Sequence, residues 1–94
     1  MRSVMDGRIK KAIIFYNMQV KVLFFGILSE VTGTNWKHYR EVRSITDLAY
    51  RIQDDFPEIV QYSFRISINN EVINNDLKLN DGDEIALLPL FAEG

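Results

Sequence analysis

The chain of 94 residues has no cysteine, only two prolines and a single histidine. Without cysteine it can form no disulfide, no thiolate metal site and no cysteine nucleophile. The one histidine, His38, has no second imidazole to complete a metal site, and we predict that it is a solvated surface residue. These absences exclude several kinds of active site.

Long hydrophobic runs and an excess of one charge are also missing. The longest apolar stretches, Ala12–Tyr16 and Ile85–Phe91, are far shorter than the ~20 residues of a membrane-spanning helix. The formal net charge of −2 argues against a general nucleic-acid binder, because neutralising phosphates requires a clear basic excess. We therefore expect a cytoplasmic protein with one core and with neither a membrane nor a nucleic acid as its partner.

Five stretches have the alternating or wholly apolar patterns of β-strands: Gln19–Phe25, Asn35–Val42, Arg65–Ile68, Glu71–Ile73 and Glu84–Leu88. The pair Asn69-Asn70 predicts a tight turn, because asparagine tolerates positive φ. Asn80–Asp83 is a strong turn signal before the last strand, and Pro89 closes that strand. In this pattern Phe24 and Phe25 are predicted to be core or sheet residues.

One main helix is predicted between the second and third strands. Ser44–Asp47 has the spacing of a capping box. Apolar residues follow at helical spacing: Ile45, Leu48, Ala49, Ile52 and Phe56. Pro57 ends the helix. Asp54 and Asp55 point about 100° apart, so we predict a solvated helix face rather than an acid–base pair. A short helical turn is predicted at Ile27–Gly33, closed by its glycine.

These elements predict an α+β domain over residues 18–94, with a C-terminal tail over residues 89–94. Met1–Asn17 differs from the rest in its basic, uneven composition. Our prediction is a dispensable extension ahead of a natural start at Met18. The alternative is that Ala12–Tyr16 adds a strand or lies across an exposed apolar patch.

Several segments carry a resemblance through their order and spacing: Val20–Gly26, Ser29-Glu30, Gly33, Thr46–Leu48, Pro57, Ile68–Glu71 and Leu79–Pro89, followed by a terminal glycine. From Met18 onward the chain resembles the MoaD/ThiS sulfur-carrier family, which includes the small subunit of molybdopterin synthase. The resemblance implies the β-grasp, or ubiquitin-like, fold. In that fold a mixed sheet, with its first and last strands side by side, packs against one main helix.

The resemblance also implies a function, as a carrier in molybdopterin (molybdenum cofactor) biosynthesis rather than an enzyme by itself. A ubiquitin-activating-type enzyme would use ATP to adenylate the carboxyl group of Gly94, which sulfur then converts to a thiocarboxylate. The large catalytic subunit of molybdopterin synthase, in a heterotetramer, would receive that sulfur. No bound cofactor and no metal are expected. The tail residues expected to contact these partners are Pro89, Leu90, Phe91, Ala92 and Glu93.

Position 93 departs from the family pattern, which ends in two glycines. Glu93 adds bulk and charge beside the reacting carboxyl group, so either the partners have a wider, basic channel or the function differs. The alternatives are a thiamine-type or other sulfur carrier, a degenerate interaction module with an inert tail, and a ubiquitin-like modifier. For Phe91 we predict anchoring to a partner, with packing back onto the domain as the alternative.

Overall fold

The structure, a computed structural model, describes residues 18–90. Its strands are β1 (Gln19–Phe24), β2 (Trp36–Arg40), β3 (Phe64–Ile68), β4 (Glu71–Ile73) and β5 (Glu84–Pro89). Its helices are α1 (Ile27–Thr32), α2 (Ile45–Asp55) and a 3₁₀ helix (Pro57–Gln61). No helix in this part of the chain is long and apolar enough to cross a membrane.

The five strands form one mixed sheet in the order β2-β1-β5-β3-β4. The first and last strands, β1 and β5, lie side by side and parallel, as the resemblance predicted. The other neighbouring pairs are antiparallel. Because β5 is the central strand, the chain leaves the sheet from its middle and not from an edge.

The core lies on one face of this sheet, against α2. Alternate residues of β1 and β5 face it and are buried, as are three residues of the helix: Val20, Val22, Phe24, Ile85, Leu87, Ile45, Leu48 and Ile52. Burial of these apolar side chains is the main stabilising contribution to the domain. Among residues 18–90, the buried residues of the helices all belong to this one core. We call the opposite face of the sheet the helix-free face.

The start of α2 is capped more extensively than the sequence predicted. The Asp47 N–H donates to Ser44 Oγ at 3.2 Å, as expected of a capping box. Asp47 Oδ2 in turn accepts from the N–H of Arg43, at 3.0 Å. A distant residue also contributes, since the Thr46 N–H donates to Asp76 Oδ1 at 2.9 Å. This bond ties the loop before β5 to the helix and lowers the pKa of the Asp76 carboxyl group.

The local turn predictions are confirmed. Gly33 ends α1 at φ 77°, with its N–H donating to the carbonyl oxygen of Ser29 at 2.9 Å. Asn69 and Asn70 have φ of 51° and 75° between β3 and β4. Pro57 both ends α2 and begins the 3₁₀ helix.

Two core predictions are wrong. Phe25 is 46% exposed. The alternation of β1 continues one residue past Phe24, so the Phe25 side chain lies on the helix-free face. Ala49 lies on the helical stripe but is exposed, because α2 does not cover the sheet as far as β3.

The Asp54–Asp55 pair is not simply a solvated face, because Asp55 joins the end of α2 to edge strand β2. Its Oδ2 accepts hydrogen bonds from Lys37 Nζ at 2.6 Å and from the Tyr39 hydroxyl at 2.7 Å. The Lys37 and Tyr39 bonds lower the pKa of the Asp55 carboxyl group. Burial, reinforced by the Asp55 carboxylate, raises the pKa of the Tyr39 hydroxyl.

We predict that Asp55→Asn lowers the free energy of unfolding by about 1 kcal/mol at neutral pH, a small effect because the ion pair is partly exposed. A carboxyl group whose pKa is lowered by folding stabilises the protein above its unfolded pKa of about 4. That contribution is lost as the pH falls through the lower, folded pKa. Urea unfolding at neutral and acidic pH measures both effects.

The neighbouring variant Asp54→Asn is the matched control, because Asp54 lies on the same helical turn and is exposed. It should be nearly neutral. If the two variants were equally stable, or if the Asp55→Asn effect persisted in acid, the ion pair would not be the cause.

Candidate functional site

One row of side chains crosses all five strands on the helix-free face. The strand register aligns its members as neighbours in this order: Trp36, Leu23, Ala86, Ser67 and Val72. The edge members Trp36 and Val72 are 48% and 46% exposed. Large apolar side chains on a single sheet face, without a covering layer, indicate a surface for a partner.

The apolar surface extends toward the end of β5. The Phe25 N–H still donates to the carbonyl oxygen of Leu87 at 3.3 Å, which holds Phe25 beside β5. Leu88 and Leu90 follow on the same face, and Leu90 is 41% exposed. We call Leu23, Phe25, Trp36, Leu88 and Leu90 the apolar patch. It surrounds the point at which the tail leaves the sheet.

The other end of the helix-free face is polar. The Lys21 ammonium group lies 5.1 Å from the centre of the Trp36 ring, a cation–π distance, and His38 packs edge-on against that ring at 5.0 Å. The Arg40 Nε–H donates to Gln19 Oε1 at 3.1 Å. His38 is exposed, as predicted. Residues 18–90 contain no group of three or more metal-binding side chains.

The last residue of β5 lies close to a glycine at the end of β1. Gly26 has φ 55° and ψ −134°, and a Cβ there would lie 3.2 Å from Pro89 Cγ. A side chain would therefore be both strained and crowded. Pro89 is the last residue of β5, and the Leu90 N–H donates to the carbonyl oxygen of Ser63 at 3.2 Å.

Of the predicted site residues, Leu90 thus belongs to the apolar patch, and Pro89 lies beside Gly26 at the end of β5. The other four, Phe91, Ala92, Glu93 and Gly94, lie outside the described residues. The sequence analysis did not single out Phe25 or Trp36 as candidate site residues. For Phe25 the signal was present in the alternation, which makes it the neighbour of a core residue. Trp36 stands between Asn35 and Lys37 in a largely polar stretch, which is typical of an exposed strand.

Comparison with known proteins identifies the family of this domain. The sequence matches the model of the ThiS family over residues 22–93. The chain belongs to the ThiS family. A curated relative, the molybdopterin synthase sulfur carrier subunit of Mycobacterium tuberculosis, is 29% identical over 82 residues, covering 82% of this chain and 99% of the relative.

Solved structures confirm the β-grasp fold for this ThiS-family chain. One match is a chain in the complex of subunits 1 and 2 of the molybdopterin-converting factor from Helicobacter pylori. It is 28% identical with a TM-score of 0.63, and 82% of this chain covers all of it. Small archaeal modifier protein 1 from Methanosarcina acetivorans matches at 26% identity and a TM-score of 0.70, covering 82% of this chain and 97% of that one.

A third structure, a putative molybdopterin converting factor subunit 1 from Pyrococcus furiosus, matches at 20% identity with a TM-score of 0.71. The match covers 78% of this chain and 98% of that chain. At this identity the likeness concerns the fold alone.

Two adjacent phenylalanines test the assignment of the two sheet faces. Phe24 is 2% exposed and packs edge-on against Phe56, so Phe24→Ala should lower the free energy of unfolding by about 3–5 kcal/mol. Phe25→Ala, the matched variant, should change it by less than about 1 kcal/mol. Chemical unfolding of both variants measures the difference. Equal losses would place both rings in the core and remove Phe25 from the patch.

Proposed function

We propose that this chain is a sulfur carrier of the molybdopterin synthase type, with the carboxyl group of Gly94 as the group that carries sulfur. The observation that carries the proposal is the match to a sulfur carrier subunit along 99% of that relative's length. The geometry supports it, because β5 delivers the tail from the centre of a rigid sheet. We propose that the folded domain itself contains no reaction centre and that it serves to position the tail for its partners.

The chemistry of a carboxyl group explains why such a carrier needs an activating enzyme. A carboxylate is a poor electrophile, and hydroxide or sulfide does not displace its oxygen. Attack by a Gly94 oxygen on the α-phosphorus of ATP gives an acyl-adenylate and releases pyrophosphate. A sulfur nucleophile at the oxidation level of sulfide then attacks the acyl carbon, and AMP leaves with the former carboxylate oxygen. The product is a thiocarboxylate, so the absence of cysteine is no obstacle.

Two partners follow from this chemistry: an adenylating enzyme of the ubiquitin-activating type and a large subunit that transfers the sulfur. The Helicobacter pylori relative was solved as a complex of two subunits, which supports the second. We propose that the apolar patch is buried by these partners. Its exposed aromatic side chains, Phe25 and Trp36, are of the type that dominates protein interfaces.

Glu93 sets a requirement on both partners. Its carboxylate lies one residue from the reacting carbonyl carbon, so it enters any channel that admits Gly94. Burying an unpaired carboxylate costs several kcal/mol. We propose that each partner meets Glu93 with a cationic side chain or leaves that position open to water.

A second function, that of a ubiquitin-like modifier, is favoured by the match to a small archaeal modifier protein. It uses the same first step, because adenylation of the Gly94 carboxyl group also precedes attack by an amine. The two functions differ only in the final nucleophile. Sulfur transfer leaves a thiocarboxylate, whereas modification leaves an isopeptide bond to a lysine of another protein.

The first test is the intact mass of the full chain after incubation with an activating enzyme, ATP and a sulfide source. We expect a gain equal to the replacement of one oxygen by sulfur, located at Gly94 by fragmentation. A chain lacking Gly94 should remain unmodified, with the same folded spectrum, because the last strand already ends at Pro89.

The variant Glu93→Gly separates the remaining outcomes. Modification of the wild type and of this variant alike supports a channel that accommodates glutamate. Modification of Glu93→Gly alone would mean that the wild-type tail has lost the reaction. Conjugates to lysine, detected by mass spectrometry after incubation with cell extract and ATP, would favour the modifier function.

A second test concerns the apolar patch. Phe25→Ser combined with Trp36→Ser should weaken binding to the large subunit at least tenfold, because buried aromatics contribute most of the interface energy. Tyr50→Ser is the matched control, since Tyr50 is 65% exposed but lies on α2, on the other side of the sheet. Calorimetric titration measures both. Equal affinities for the two variants would rule out the patch as the interface.

A further inference from the structure

Charge is distributed unevenly over the described domain. Residues 18–90 contain seven lysines and arginines against eleven aspartates and glutamates, a formal net charge of −4. The helix-free face has the opposite balance. Of the strand residues that the register places on it, Lys21, Arg40 and Arg65 are cationic and only Glu84 is anionic. A partner selected by the net charge would be basic, whereas one selected by this face would be acidic.

Two of these cations adjoin the apolar patch. The Lys21 ammonium group lies 5.1 Å from the centre of the Trp36 ring, and Trp36 is a member of the patch. Arg65 is exposed and lies opposite Leu88, another member of the patch, in the register of β3 and β5. Both side chains therefore belong to the margin of the patch and not to a separate surface.

The two cations border the patch on different sides. Lys21 is aligned with Glu84 of β5, whereas Arg65 is aligned with Leu88, four residues further along that strand. Four residues of a strand extend about 13 Å, and the two strand spacings from β1 to β3 cover about 10 Å. The backbone positions of the two cations are thus roughly 16 Å apart across the sheet. A ligand that covers the patch meets both of them.

We propose that the helix-free face docks onto an acidic protein surface, which covers the apolar patch with apolar side chains and pairs its carboxylates with Lys21 and Arg65. This inference names the charge of the partner under the proposed sulfur-carrier function, on which it rests. An apolar contact alone leaves the orientation of a partner open, whereas two cations on different sides of the patch define it. Complementary charges also raise the rate of encounter, and this effect falls with ionic strength.

Single-stranded nucleic acid is the other class of ligand for a basic face with exposed aromatic side chains. The charge of the domain disfavours it. Outside the helix-free face, the described residues contain four cations and ten carboxylates, and these repel a polyanion. In addition, the Lys21 ammonium group already covers one face of the Trp36 ring, on which a base would stack. A protein surface with a few local carboxylates fits both observations better.

The variant Arg65→Glu tests the proposal, with Lys78→Glu as the matched control. Both residues are exposed and both changes replace a cation by an anion, but Lys78 lies beside the start of α2, where it bridges to Ser44. Stopped-flow mixing with the large subunit at low ionic strength measures the association rate constant. We expect at least a tenfold decrease for Arg65→Glu and less than a twofold change for Lys78→Glu. In about 1 M salt, where the screening length is about 3 Å, the difference should disappear.

Equal association rates for the two variants, or a difference that persists at high salt, would overturn the proposal. Urea unfolding of both variants should match the wild type, which separates loss of charge from loss of structure. Should Arg65→Glu fail to fold, Arg65→Gln removes the cation alone and should slow association in the same direction by a smaller factor. A scan of the large subunit's surface carboxylates supplies the positive test. Replacing one of them by lysine should restore the rate of Arg65→Glu, and a scan without any such rescue counts against the pairing.

The intact mass of the same samples distinguishes this proposal from the sulfur-carrier function. A chain that gains sulfur at Gly94 but associates at a rate independent of Arg65 keeps the carrier function and refutes the acidic partner. A chain that associates in a charge-dependent way and never gains sulfur gives the reverse result.

A fluorescent oligothymidine tests the other class of ligand. We expect no binding to the wild type at physiological ionic strength. Binding that Arg65→Glu weakens and Lys78→Glu does not would assign the face to nucleic acid and overturn the proposal.

Discussion

The parallel pairing of β1 with β5 is the constraint on which the rest of the structure depends. It joins the two ends of the described chain through bonds such as the one from the Lys21 N–H to the carbonyl oxygen of Asp83, at 3.0 Å. Without it the sheet would separate into β2-β1 and β5-β3-β4, and the core beneath α2 would open. Because β5 lies at the centre, its register is fixed from both sides. The start of the tail is therefore positioned by two neighbouring strands.

The turn before β5 holds this pairing in place through its acidic side chains. Asp83 Oδ2 accepts from the Asn80 N–H at 2.8 Å, and its Oδ1 accepts from Asn69 Nδ2 at 3.0 Å. Asp81 Oδ1 accepts from the Gln19 N–H at 2.9 Å, at the first residue of β1. The turn thus links β1, the β3–β4 turn and β5. These carboxylates accept hydrogen bonds from backbone N–H groups and from the Asn69 side chain. This explains why acidic residues cluster in the turn, although no group of metal-binding side chains is found among residues 18–90.

Signals that act over a few residues predicted the local structure of this chain well. The Ser44 cap, the asparagine turn and the helix end at Pro57 each depend on the backbone preferences of the residues concerned. The order of the strands came from the family resemblance, because local pattern alone gave no more than an α+β domain. The exposure of Phe25 was missed because a run of four apolar residues, Val22–Phe25, hides the alternation that separates it from Phe24. The role of Asp55 could not be predicted, because Lys37 and Tyr39 reach it from a strand distant in sequence.

The same alternation explains how the domain presents the start of the tail. Along β5, Leu88 and Leu90 belong to the apolar patch, whereas Leu87 is buried against α2 and the core. The described ladder to β3 ends at the hydrogen bond from the Leu90 N–H to the carbonyl oxygen of Ser63. Under the proposed sulfur-carrier function, a partner would bind the patch on the folded domain and take up the tail in a separate step, and Glu93 would bear on the second step alone. Selectivity among partners would then come from the patch, while the charge of Glu93 would decide which of the bound partners can use Gly94.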